Sequence, residues 1–167
     1  MPKYTLRIEE YACWGCQTCE VACKQEYNPV EAREGVKYIT VWPDGPKPVN
    51  GNLEFTWRVT VCQHCEEPDC VPACPTEAIT KRPDGIVILD RELCNGCQAC
   101  LPACPYDAIA FDDASGTAAK CNLCYHRVDH GLYPACADNV CLAHCIYFGE
   151  PAEIEKLIAE KQAARAC

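Results

Sequence analysis

The sequence is short of positive charge and has no long apolar run. Its 15 lysine and arginine residues are outnumbered by 24 aspartate and glutamate residues, and the formal net charge is -9. Nucleic-acid binding depends on clustered cations, so we expect no nucleic-acid partner. No stretch approaches the ~20 consecutive apolar residues of a membrane-spanning helix, so we expect no direct membrane insertion.

Signatures of substrate chemistry and of export are also missing. We find no phosphate-binding loop, no dinucleotide fingerprint and no Ser-His-Asp arrangement, so no catalytic residue is predicted. The first residues, MPKYTLRIEEY, contain neither the apolar run of a secretory signal nor a twin-arginine pair. We therefore expect a cytoplasmic location, where cysteines stay reduced and can bind metal rather than form disulfides.

Cysteine is the abundant residue, with 18 in 167 positions. That fraction exceeds the roughly 8–10% that marks a chain organised by disulfides or metal ligands. Two nine-residue segments, VPACPTEAI at 71–79 and LPACPYDAI at 101–109, differ at only three positions and indicate an internal duplication. Most of the cysteines fall into four blocks, which are 13–23, 62–74, 94–104 and 121–141.

Block three has the ligand spacing of bacterial ferredoxins. It reads Cys94-x2-Cys97-x2-Cys100-x3-Cys104-Pro105. Three cysteines at this spacing can wrap three corners of one [4Fe-4S] cluster, while the fourth binds a neighbouring cluster. Gly96 has no side chain, and we expect it to allow close approach to the inorganic core.

Blocks one and two repeat this arrangement with small changes. Block two reads Cys62-x2-Cys65-x4-Cys70-x3-Cys74-Pro75, and block one reads Cys13-x2-Cys16-x2-Cys19-x3-Cys23-Lys24. A zinc site takes two separated cysteine pairs and leaves the third cysteine of each block without a role, so iron-sulfur clusters are favoured over zinc. His64 and Trp14 lie inside these loops, and we expect them to pack against and shield clusters.

Block four has five cysteines for four places. Cys121-x2-Cys124 is followed by Cys136, Cys141 and Cys145. The spacing from Cys141 to Cys145 copies the end of the other blocks, whereas the spacing from Cys136 to Cys141 is one residue too long. Spacing alone therefore leaves the last ligand open. Cys167, near the end of the sequence, is expected to be a spare thiol.

Between the blocks, short runs of β-prone residues and turn signals predict a mixed structure. Residues 20–27 predict a short helix, and similar helices are expected after the third cysteine of each block. Strands are predicted at 4–8, 36–41 and 55–61, with one hairpin joining 79–81 to 86–88 and a second closed by 112–116.

Two further segments lie outside the blocks. Residues 43–52 contain three prolines and two glycines, and we expect a surface loop or a joint between two halves. Residues 151–164 predict a helix with Ile154, Leu157 and Ile158 on one face. That face is expected to pack on its own domain, the alternative being a contact with a partner.

Four such blocks, with an expanded second block and a fourth block split by a long insert ending in Pro-Ala-Cys, identify a family resemblance over residues 3–150. The chain resembles the four-cluster ferredoxin-like subunits of molybdenum and tungsten pterin oxidoreductases, of the dimethyl sulfoxide reductase or multi-subunit aldehyde oxidoreductase type. The resemblance implies an α+β fold of two duplicated bacterial 2[4Fe-4S] ferredoxin modules in residues 1–150. A C-terminal helix and tail at 151–167 would follow.

In that family the first block pairs with the fourth and the second pairs with the third. The resemblance also implies that the last ligand precedes a Phe-Gly-Asp-like turn by seven residues, and Phe148-Gly149-Glu150 then selects Cys141, with Cys145 as the alternative. The implied ligand sets are a block-one site of Cys13, Cys16, Cys19 and Cys141; a block-two site of Cys62, Cys65, Cys70 and Cys104; a block-three site of Cys94, Cys97, Cys100 and Cys74; and a block-four site of Cys121, Cys124, Cys136 and Cys23.

The function implied is single-electron relay through four [4Fe-4S] clusters, without substrate chemistry. The expected partners are a large catalytic Mo/W-pterin subunit, acting on an aldehyde, formate or a related substrate, and an acceptor or donor subunit linked to flavin, quinone or ferredoxin. We lean to a complex of the tungsten aldehyde oxidoreductase type. The alternatives are a free-standing polyferredoxin that serves several partners and a zinc-stapled interaction module.

Overall fold

The computed structural model describes residues 4–27, 35–137 and 139–165, and Cys167 lies outside these ranges. Short strands alternate with short helices, so the α+β class is confirmed. The strands are β1 Thr5–Ile8, β2 Ile39–Val49, β3 Asn52–Val61, β4 Ile79–Lys81, β5 Val87–Leu89, β6 Ile109–Asp112, β7 Thr117–Lys120 and β8 Ile146–Gly149. The helices are a 3-10 turn at Glu10–Ala12, α1 Thr18–Tyr27, α2 Cys100–Ala103, α3 Tyr125–Val128 and α4 Pro151–Arg165.

The strands form two-stranded antiparallel sheets. Sheets β4–β5 and β6–β7 are the two predicted hairpins, closed by the turns at 82–85 and 112–116. Sheet β1–β8 instead joins distant parts of the chain, with Thr5 opposite Gly149 and Ile8 opposite Ile146. Because block one follows β1 and block four ends just before β8, this pairing brings the first and fourth blocks together.

The segment 43–52 forms most of a long hairpin, so the prediction of a loop or joint was wrong. Strands β2 and β3 pair from Ile39 opposite Val61 to Val49 opposite Asn52, with a register shift between Asp44 and Lys47. Asn50 and Gly51 have φ values of +49° and +83°, which suit a two-residue hairpin turn. The prolines are tolerated because each strand of a two-stranded sheet keeps an unpaired edge, where a missing N–H removes no sheet hydrogen bond.

Helices occur where predicted in blocks one and three but differ in the other two. Helix α1 begins two residues earlier than expected, and α2 begins at the third cysteine of block three. In block two, the hydrogen bonds from Ala73 N to Asp69 O and from Cys74 N to Val71 O close turns that do not continue as a helix. In block four, α3 follows the second cysteine, Cys124, rather than the third.

Two groups of buried side chains combine the blocks in pairs. The first contains cysteines of blocks one and four and includes Cys19, Cys23, Cys136 and the strand residues Ile39, Val41 and Val61. The second combines blocks two and three and includes Cys100, Ile79, Val87 and Ile109, with Cys70, Cys74, Cys94 and Cys104 packed against them. Cysteine thus supplies much of the core, as its side chain is small and apolar.

Helix α4 packs on the sheet that precedes it through part of its apolar face, with Ile154 buried and Ile158 half-buried. Ile154 is 2% exposed and lies against β8. Leu157, predicted on the same buried face, is 52% exposed. The helix therefore packs on its own domain, but the expectation for Leu157 was wrong. Among the described helices, none is both long and apolar enough to cross a bilayer.

Candidate iron-sulfur sites

The thiols assigned to the block-two site surround one cavity. Cys62, Cys65, Cys70 and Cys104 all line this cavity. The remaining wall is largely apolar and includes Val87 and Ile109. Four convergent thiols with an apolar shell are the donor set that a [4Fe-4S] cluster requires, so these residues fit the group.

A second cavity is lined by the four thiols of the block-four site. Cys23 comes from α1, Cys121 and Cys124 precede α3, and Cys136 comes from the loop that follows α3. They line this cavity together with apolar side chains such as Ile39 and Val61. Because Cys23 belongs to block one, this cavity depends on the β1–β8 pairing that joins the two ends of the chain.

The block-three thiols also converge. Burial raises the pKa of Cys100, and the neighbouring thiols of Cys94, Cys74 and Cys97 raise it further because adjacent negative charges repel. Cys74 comes from block two and reaches this group across the shared core. Three ligands from one loop and one from the partner block are the arrangement expected of a two-cluster ferredoxin.

Both candidates for the last ligand of the block-one site lie close to the block-one cysteines. The Cys141 and Cys145 sulfur atoms are 3.5 Å apart, and both side chains are buried. Burial raises the pKa of Cys145, followed by contacts with the thiols of Cys141 and Cys13. Cys141 in turn contributes to the raised pKa of Cys19, after burial. The structure brings both thiols to this site and leaves the choice between them a prediction.

The thiols are spread around open space rather than gathered on a point. Within residues 4–27, 35–137 and 139–165, no three His, Cys, Asp or Glu side chains converge as ligands of a single metal ion. A cubane differs from a single ion in holding each thiolate at its own corner, so its ligands need a cavity between them.

Burial raises the pKa of half of the sixteen assigned thiols. It raises the pKa of Cys19 to about 12 and those of Cys23 and Cys70 to about 11. Cys16 and Cys74 differ, because hydrogen bonds from the Thr18 and Thr76 hydroxyls and from backbone N–H groups outweigh burial and lower the pKa. Iron binds the thiolate form, so cluster binding must displace protons from the buried thiols.

Two polar side chains near the cavities, Lys120 and His64, are buried, and the sequence analysis did not predict the burial of Lys120. Lys120 is 3% exposed, and His64 is 7% exposed. His64 Nδ1 accepts the Val87 N–H at 3.0 Å, while its buried Nε2 has no partner among the described residues. Burial and then the Lys120 charge lower the pKa of His64 to about 3, so the imidazole is neutral. Lys120 has no local sequence signal, since it ends a strand and precedes a cysteine.

His64 is buried, whereas Trp14 is exposed. The His64 side chain is buried beside β5 through its hydrogen bond to Val87. Trp14 is 67% exposed, and its packing against a cluster stays a prediction.

The cysteine-lined cavities and the antiparallel hairpins define an iron-sulfur protein of the ferredoxin type. Residues 53–151 match the 4Fe-4S dicluster domain, and residues 10–28 match a 4Fe-4S binding domain. The chain therefore binds [4Fe-4S] clusters, and 18 cysteines are enough for four.

Curated relatives extend this comparison over nearly the whole chain. A Halobacterium salinarum protein, provisionally named as an iron-sulfur subunit of dimethyl sulfoxide reductase, is 38% identical over 96% of this chain and 72% of its own length. A polysulfide reductase subunit of Wolinella succinogenes is 37% identical over 98% and 86%. A subunit of the anaerobic dimethyl sulfoxide reductase of Escherichia coli is 34% identical over 92% and 77%. The chain belongs to this family of iron-sulfur electron-transfer subunits of reductase complexes.

Proposed function

We propose that the chain relays single electrons through four [4Fe-4S] clusters between a catalytic Mo/W-pterin subunit and a separate electron acceptor or donor. The two cavities carry this proposal, because each is lined by the four cysteines that the family resemblance implies as one ligand set. The clusters supply one-electron chemistry when bound, and the chain's own residues hold them, exclude water and set their charge environment. No residue is assigned a catalytic role.

The fold is proposed to contain two ferredoxin modules, one built from blocks one and four and the other from blocks two and three. The two buried groups described above support this division, since each combines cysteines of one block pair. The ligand sets follow the sequence prediction, with Cys141 as the fourth ligand of the block-one site. We propose residues 1–150 as the cluster-binding domain and 151–167 as a C-terminal helix and tail.

The exposure of the thiols supports a linear relay. Among the described cysteines, Cys16 and Cys97 are the exposed ones, and they belong to the block-one and block-three sites. Burial and then the nearby Cys62 thiol of the block-two site raise the pKa of Cys121 in the block-four site, so these two sites lie next to each other. The proposed order is therefore block one, block four, block two and block three, with each end close to the surface and able to exchange electrons with a partner.

Reduction of dimethyl sulfoxide and of polysulfide are the activities named for the relatives, and we propose a related small-molecule reductase or oxidoreductase as the parent enzyme. Aldehyde and formate complexes remain hypotheses from the sequence, as do the flavin, quinone or ferredoxin-linked acceptor and the choice of Mo or W. A cytoplasmic location is likewise a prediction, which cell fractionation of the native host tests.

Anaerobic purification of the chain from its host tests the assignment as a subunit. We expect co-purification with a large chain that contains molybdenum or tungsten, and reduction of the clusters when that chain's substrate is added. A chain that purifies alone and is reduced by several unrelated partners would favour the free polyferredoxin instead.

A further inference from the structure

Lys120 carries a positive charge into the core, and no described carboxylate pairs with it. Its Nζ donates hydrogen bonds to Val87 O at 2.5 Å and to Cys121 O at 2.7 Å. No ion pair between described residues includes Lys120. Two carbonyl oxygens satisfy the ammonium as a donor but provide no full opposite charge, and a buried charge without compensation is strongly unfavourable. A negative charge near Lys120 would therefore stabilise the folded protein.

The two acceptors belong to the walls of two different cavities. Val87 lines the cavity of the block-two site, and Cys121 lines the cavity of the block-four site. Lys120 thus lies between two sites that each become anionic when a cluster is bound.

We propose that Lys120 is a positioning residue that provides one shared positive charge to the block-two and block-four [4Fe-4S] sites and raises the reduction potential of both. This inference rests on the proposed function and its ligand sets. A [4Fe-4S] cluster with four thiolates has a charge of about -2 when oxidised, and one electron makes it more negative. The ammonium stabilises that added charge, and no proton or bond is transferred.

Burial strengthens the electrostatic effect of the Lys120 ammonium on the two sites. Charges interact more strongly in the protein interior than in water, and salt screens them less there. The N–H of Val87 donates to His64 Nδ1, so both backbone polar groups of this wall residue have buried partners. Electrons passing between the two modules would cross the protein where Lys120 lies.

Redox titration of the complex, monitored by electron paramagnetic resonance, tests the proposal with Lys120→Met. We expect two of the four midpoint potentials to fall by about 59 mV or more, which corresponds to a tenfold change in a one-electron equilibrium constant. The other two midpoint potentials should remain unchanged. Lys120→Arg keeps the charge and should leave all four near wild type. The matched control is Lys81→Met, which removes an exposed lysine that donates to Glu66 O in block two and should shift none of them.

Unchanged potentials in a fully iron-loaded Lys120→Met complex would overturn the proposal. If Lys120→Met loses iron, Lys120→Arg decides: retained iron and potentials support a requirement for charge, and loss in both variants shows a packing role and overturns it. The wild-type complex separates this inference from the proposed function. A wild type without four clusters would contradict the proposed function, whereas an intact wild type with unshifted variants would contradict the role of Lys120 alone.

Discussion

Gly96 and Gly131 have nearly the same backbone conformation but different surroundings. Their φ values are +73° and +74°, in the region that favours glycine. A Cβ on Gly96 would collide with the carbonyl oxygen of Gly116, in the turn between β6 and β7, whereas a Cβ on Gly131 would meet nothing within 4 Å. The required close approach at Gly96 is therefore to a neighbouring turn, which the sequence did not reveal, rather than only to a cluster.

The comparison of Gly96→Ala with Gly131→Ala isolates that contact. Both substitutions should cost about 1–2 kcal/mol through the left-handed conformation. Only Gly96→Ala should also displace the block-three loop, so we expect it to lose up to about four of roughly sixteen irons per chain. Iron analysis of both purified variants measures this. Equal iron content in the two would show that the contact with Gly116 has no role in holding the cluster.

Serine variants of Cys141 and Cys145 distinguish the two candidates for the last ligand. The oxygen of serine is a harder and poorer ligand for a cluster than thiolate. We expect Cys145→Ser to keep the full iron content and Cys141→Ser to lose about four irons. The reverse pattern would make Cys145 the ligand, and the 3.5 Å separation of the two sulfur atoms makes that exchange sterically simple.

At the scale of elements, local turn chemistry predicted the short hairpins and failed for the long one. The Arg-Pro-Asp-Gly turn and the turn at 112–116 lie between short β-prone runs, so β4–β5 and β6–β7 could be predicted. In 43–52 the prolines concealed an equally local signal, the Asn50-Gly51 turn. Pairing of β1 with β8 spans almost the whole chain, and no local pattern could predict its register.

Helix α4 offers a matched pair for testing how it is attached. Ile154 is 2% exposed and Leu157 is 52% exposed on the same helix. Ile154→Ala should destabilise the packing of α4 by about 2–5 kcal/mol, because it removes buried methyl groups and leaves a cavity. Leu157→Ala should stay within about 0.5 kcal/mol, as expected for an exposed position.

Denaturant unfolding of the cluster-loaded chain, followed by circular dichroism, measures both variants. A larger effect from Leu157→Ala than from Ile154→Ala would contradict the packing described here.

For the whole molecule, two cavities are each lined by four cysteines, while the full ligand sets and the division into two modules stay predictions. Block spacing predicted the donors, and the family resemblance implied the pairing of the first block with the fourth, which spacing alone did not contain. The burial of Lys120 could not be predicted, because its side chain hydrogen-bonds to the carbonyl of Val87, which is 33 residues away in sequence. Long-range contacts of this kind arise only when the two halves of the fold come together.

The iron and acid-labile sulfide content of the anaerobically purified wild-type chain in its complex tests whether the chain holds four [4Fe-4S] clusters. Four [4Fe-4S] clusters predict about sixteen irons and sixteen sulfides per 18.5 kDa chain. Zinc without labile sulfide, or a reproducible content of only about eight irons, would contradict the four-cluster relay.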